Sequence, residues 1–96
     1  VKPIKENQYN KHAYHLYVLK SPNRQNLFKH LKKNNIQSMV HYPKPVNKQK
    51  AFRYQKNQKF PNTEILVDKI LSIPIHHMLK TKDVKNIVRC INEWKP

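Results

Sequence analysis

The segment HAYHLYVLKSPNRQNLFKHLKKNNIQSMVHYP, His12 to Pro43, decides how this chain folds, because it carries three different patterns in sequence. His12 to Lys20 is rich in aromatic and β-branched residues and is bounded by polar clusters, which predicts a strand. Its two faces, His12, Tyr14, Leu16, Val18 and Ala13, His15, Tyr17, Leu19, both carry apolar groups, as in a strand covered on both sides. Helical spacing follows. Asn23 is a candidate N-cap, and Leu27, Phe28 and Leu31 form an apolar stripe. Lys29, Lys32 and Lys33 lie in the last turns, where cations complement the helix dipole. Ile36 to Tyr42 reads as a second strand, stopped by Pro43 and Pro45, since proline donates nothing to a ladder.

Outward from this segment the patterns are shorter. Residues 1–11 are polar, contain Pro3 and show no period, so they read as a linker leading into a domain that spans 12–96. Residues 44–60 hold six basic residues and no acid, with no clean period; an exposed loop is expected, with one helical turn around Asn47 to Tyr54. Pro61 opens a short helix to about Lys69, and Leu71 to Pro74 is a third strand. Thr81 is a natural N-cap, after which Val84, Ile87, Val88, Ile91 and Trp94 repeat at helical spacing. The fold class expected is α+β, a small sheet of about three strands covered by helices.

Ninety-six residues make one domain with a modest core. Glycine is absent, so a left-handed backbone position falls to the next most tolerant residue, and Asn34-Asn35 is the place for it. The formal charge of +15 fits either an anionic partner or a general bias toward Lys and Asn. A single cysteine, Cys90, excludes an internal disulfide and fits a reducing, cytoplasmic setting. No run of about 18 apolar residues is present to span a membrane. A chain that starts at Val1 reads as a fragment or a processed product.

Six histidines invite a metal reading, but adjacent His76 and His77 diverge and His12 and His15 fall on opposite strand faces. Asp68 and Asp83 are the only aspartates, no strained Ser turn is evident, and a Gly-rich phosphate loop is impossible. His41 and Tyr42 differ, because a strand end fixed by proline is a rigid place to present side chains. The basic loop with Phe52, Tyr54 and Phe60 admits a rival reading, a free-standing module that stacks bases and neutralises phosphates of nucleic acid. Its test would be a steep salt dependence and damage from replacing Lys48, Lys50 and Arg53.

YHLYVL at 14–19, NRQNLFKHLKKNNI at 23–36, VHYPKPVNKQKAF at 40–52, FPNTE at 60–64 and LSIPIHHML at 71–79 occur in an order and spacing that resemble one family. The chain is similar to the C-terminal small domain of the DegT/DnrJ/EryC1/StrS sugar aminotransferases, which are pyridoxal-phosphate enzymes of fold type I. That resemblance implies a parent enzyme with a larger N-terminal domain carrying the Schiff-base lysine, so this chain would bind no pyridoxal phosphate (PLP) and would be inactive alone. It implies that the parent, a homodimer, transfers an amino group to a nucleotide-linked keto-sugar for polysaccharide, glycan or antibiotic-sugar synthesis. His41, Tyr42 and Pro43 match the family's His-Tyr-Pro motif, implying a substrate-binding wall of the interdomain cleft, and Lys44, Lys48 and Lys50 are candidates for lying near the diphosphate. No residue of this chain is expected to be catalytic. Asn35-Ile36 stands where the family commonly has Gly-Ile, and His76-His77 where it commonly has His-Pro.

Overall fold

A computed structural model of the chain describes residues 1–55 and 58–96, with the side chains of residues 53 and 55 left out. Three antiparallel strands, β1 (Lys2–Pro3), β2 (Tyr17–Lys20) and β3 (Ile70–Ile73), form a sheet in the order β1-β2-β3. Helices α1 (Arg24–Lys33), α2 (Pro61–Val67) and α3 (Thr81–Glu93) complete the expected α+β arrangement. No described helix is long and apolar enough to cross a membrane.

The first helix follows its sequence signals closely. Asn23 caps it by accepting the Asn26 N–H at 3.0 Å. At the other end Asn35 takes a left-handed φ of 57°, and the Ile36 and Asn35 N–H groups donate back to the Leu31 and Lys32 carbonyls at 2.9 and 3.1 Å. This is a Schellman turn made with Asn in place of Gly, and Ile36 and Leu31 are both buried beneath it. A helix of ten residues that is closed at both ends keeps few backbone groups unpaired.

Leu27 and Leu31 of α1, Leu71 of β3, Ile36, Ile87 and Cys90 of α3, and Trp94 just after it make the core. Leu71 faces its cross-strand partner Leu19, which is also buried. Two polar ties join the helices across this core. Trp94 Nε1 donates to Asn26 Oδ1 at 2.9 Å, and the His30 Nε2 lies 3.0 Å from the Cys90 carbonyl, an acceptor that requires the proton on Nε2. At the far end of α1, Arg24 donates to the Val67 carbonyl at 2.6 Å and closes the C-terminus of α2.

Four expectations are corrected. The strand from His12 to Lys20 shrinks to Tyr17–Lys20, because β3 offers only four partners and Tyr14 adopts a left-handed φ of 51°. The strand from Ile36 to Tyr42 shrinks to one bridge, Met39 to Ser72. The third strand comes instead from Lys2–Pro3, within the segment read as a linker, where Lys2 and Pro3 pair with Lys20 and Leu19. At α3 the N-cap is Lys80, one residue before Thr81, because Asp83 at the third position accepts the Lys80 N–H at 3.0 Å.

Candidate functional site

The free edge of β3, opposite β2, positions His41. The Met39 N–H donates to the Ser72 carbonyl at 3.0 Å and the Ser72 N–H to the Met39 carbonyl at 2.8 Å. Residues two apart on extended chain share a face, so His41 comes to the same side as Met39 and Ser72. The imidazole Nδ1 then lies 2.9 Å from Ser72 Oγ. Ser72 is only 5% exposed, so its hydroxyl is not shared with bulk water. With Nδ1 engaged on the protein side, Nε2 is the nitrogen left for a ligand, and the Ser72 hydroxyl, able to donate or accept, serves either tautomer.

Tyr42 follows through a cis peptide bond, its ring edge-on to His41 with centroids 5.4 Å apart. It is 69% exposed, so the phenol stands in solvent rather than in the core. Pro43 is exposed beside it. The imidazole, phenol and proline form one short outcrop, anchored by a buried serine and able to donate and accept hydrogen bonds.

The lysines of the following loop are arranged by 3-10 turns at Val46–Lys48 and within Lys50–Gln55, the latter kinked at Phe52, where a single helical turn was expected. Lys44, Lys48 and Lys50 are all exposed. Lys48 Nζ lies 3.8 Å from Glu64 Oε1 at the start of α2, an open ion pair of small energetic weight. Of the aromatic residues on this loop, Phe52 and Tyr54 lean on each other at 6.0 Å and 45°. The side chain of Arg53, part of the nucleic-acid test, lies outside the described residues.

Sequence reasoning missed Ser72. A signal was present: a polar residue inside the apolar run Leu71 to Pro74, at a strand position that must be buried, needs a partner. Of the other histidines, His12 stacks on Tyr14 at 4.5 Å and His30 serves the helix pair, and among the described residues no three His, Cys, Asp or Glu side chains converge to hold a metal. Among the described residues two ionisable groups depart from their ordinary values. The Glu6 carboxylate raises the Tyr14 phenol, and burial, with Glu93 adding to it, raises the Cys90 thiol. A concave apolar groove of about 440 Å³ lies elsewhere, along α3, and its lining includes none of His41, Tyr42 or Pro43.

Comparison with known proteins gives a consistent picture. The profile of the DegT/DnrJ/EryC1/StrS aminotransferase family matches residues 1–92. The chain is 31% identical over 83 residues to the dTDP-3-amino-3,6-dideoxy-alpha-D-galactopyranose transaminase of Aneurinibacillus thermoaerophilus, covering 86% of this chain and 23% of that protein. It is 33% identical over 75 residues to the UDP-2-acetamido-2-deoxy-3-oxo-D-glucuronate aminotransferase of Pseudomonas aeruginosa, covering 78% of this chain and 21% of that one. A crystal structure of a DegT DnrJ EryC1 StrS aminotransferase from Brucella abortus superposes with a TM-score of 0.86 at 30% identity, over 95% of this chain and 25% of that one. The chain thus spans about a quarter of the length of these relatives.

Proposed function

Because the chain belongs to the DegT/DnrJ/EryC1/StrS aminotransferase family, we propose that it is the C-terminal small domain of a nucleotide-sugar aminotransferase, with β1 from the segment before residue 12 included in its sheet. The reading is supported by relatives that are sugar-nucleotide aminotransferases by name, each about four times as long. In it, the His41–Tyr42–Pro43 outcrop is one wall of the cleft that receives a nucleotide-linked keto-sugar. His41 Nε2 and the Tyr42 phenol orient the sugar by hydrogen bonds, and Pro43 fixes their direction. Lys44 and Lys50 lie on the loop beyond, on the diphosphate side, while Lys48 is partly neutralised by Glu64. The parent acts as a homodimer in the cytoplasm.

PLP supplies the amino-transfer chemistry in such a parent. This chain's own residues do not fit it. An imine-forming lysine works in a desolvated site, and every described lysine here is exposed, as is the carboxylate of Asp68. In this reading the domain positions substrate, and the chemical step belongs to the rest of the parent. No observation among the described residues favours the rival nucleic-acid module.

The observation that carries the assignment of the wall is the His41 ring held on buried Ser72. Its test is a chimera in which this chain replaces the matching quarter of the Aneurinibacillus transaminase. Amino transfer should persist in the chimera and fall by about two orders of magnitude in kcat/KM with His41→Ala. Unchanged turnover and unchanged KM in that variant, or transfer by the isolated chain, would sink the proposal.

A further inference from the structure

The outer side of α3 presents a second surface that the sugar cleft does not use. Val84, Ile87, Val88 and Ile91 recur at helical spacing, a stripe wide enough for two neighbours. The core takes one side of it: Ile87 is 7% exposed, whereas Val84 and Val88 are 46% and 50% exposed. Between that ridge and the β1–β2 end of the sheet runs the groove of about 440 Å³, walled by Tyr17, Leu19, Ile73 and Pro74. Asn92 and the Tyr17 phenol are the only polar side chains in its lining. A sugar or nucleotide needs several convergent polar groups to be oriented, and this groove does not supply them. On the other flank of the same ridge, Lys85 and Arg89 border a shallower hollow with Asn92 and Glu93, and Arg89 is paired there with Glu93 at 3.3 Å, so Lys85 is the cation that faces outward.

We propose that this groove docks an amphipathic helix with an acidic edge, contributed by the part of the full-length enzyme outside this chain. The proposal rests on the reading of the chain as about a quarter of a longer polypeptide. Three quarters of such a protein is available to cover the groove. A helix laid along α3 places its apolar face between Val84, Val88 and Tyr17, and its edge against Lys85. A second copy of this chain is the poorer occupant, because each copy brings a formal charge of +15 against the other. In the intact enzyme the docking is intramolecular, so a weak contact suffices there through high effective concentration.

The test uses the 96-residue chain and two synthetic amphipathic peptides of about 18 residues, identical in their leucine stripe, one with a glutamate edge and one with a lysine edge. Amide shifts of the 15N-labelled chain report the site. The glutamate-edged peptide is expected to move Tyr17, Val84 and Val88 saturably, and the lysine-edged peptide to bind at least about tenfold more weakly. Val88→Asp should remove binding, and Lys85→Glu should reverse the preference between the peptides; both positions are exposed, and circular dichroism checks that the variants fold. Equal binding of the two peptides, shifts located elsewhere, no shifts, or a concentration-dependent dimer built on Val84 and Val88 would each overturn the proposal. His41→Ala should leave peptide binding unchanged, so failure here and failure of the sugar-cleft reading are distinguishable.

Discussion

The segments Asn23 to Ile36 and Met39 to Phe60 are alike in chemistry, since both are basic, rich in Asn and Lys, and devoid of Asp and Glu. One becomes a helix capped at both ends with Leu27 and Leu31 fully buried; the other, among its described residues, makes one bridge at Met39 and short 3-10 turns, and leaves Tyr42, Val46 and Tyr54 in solvent. Charge therefore does not separate them. What does is the spacing of Leu27, Phe28 and Leu31 against the absence of period and the prolines at 43 and 45. The stable segment stores the fold's energy and the irregular one presents the side chains assigned to substrate, the usual division between scaffold and site.

The sharpest way to break the comparison is Leu31→Ala. The side chain is fully buried in the core, so the loss should be about 3 kcal/mol, read as a fall in denaturation midpoint at unchanged slope. Next is Asn35→Val, which forces a β-branched residue into a φ of 57° and should cost about 1–2 kcal/mol, whereas Asn35→Gly should cost nothing or stabilise. Asn23→Ala removes the cap bond to Asn26 and should cost about 1 kcal/mol. On the irregular segment, Lys48→Ala breaks a half-exposed ion pair and should change stability by less than about 0.5 kcal/mol.

Cys90 sharpens the contrast by pH. Burial raises its thiol pKa in the folded chain above the unfolded value, so folding favours the neutral form. Its contribution is fully present below the unfolded thiol pKa and is lost as pH rises through the folded one. Denaturation midpoints should therefore fall with pH in the alkaline range, and Cys90→Val should flatten that slope.

The scaffold was more legible than the site. Asn23, the left-handed Asn35 and the stripe of α3 are local signals, and the structure meets each of them. Strands were less so, because a strand exists only where a partner does: the apolar run before Tyr17 has nothing opposite it, while Lys2 and Pro3, without any pattern, do. His41 and Tyr42 were visible through family resemblance and the following proline. Ser72, which holds the imidazole, was not, because the contact joins residues 31 positions apart.

The pairing of β2 with β3 has a kinetic consequence. Tyr17 meets Ile73 only after the chain between them, α1, the loop and α2 included, has closed into a ring. Loop closure of that span precedes any reward from the ladder, and α1 meets α3 through Leu27, Leu31, Ile87 and Cys90 only across a span at least as long, so the sheet and the helix pair should form together in one slow, cooperative step. The same arithmetic makes the span tolerant of insertion, since doubling a loop costs only about 0.6 kcal/mol more in closure entropy. Residues beyond Pro43 can therefore lengthen or shorten while the ladder that carries Ser72 keeps its register.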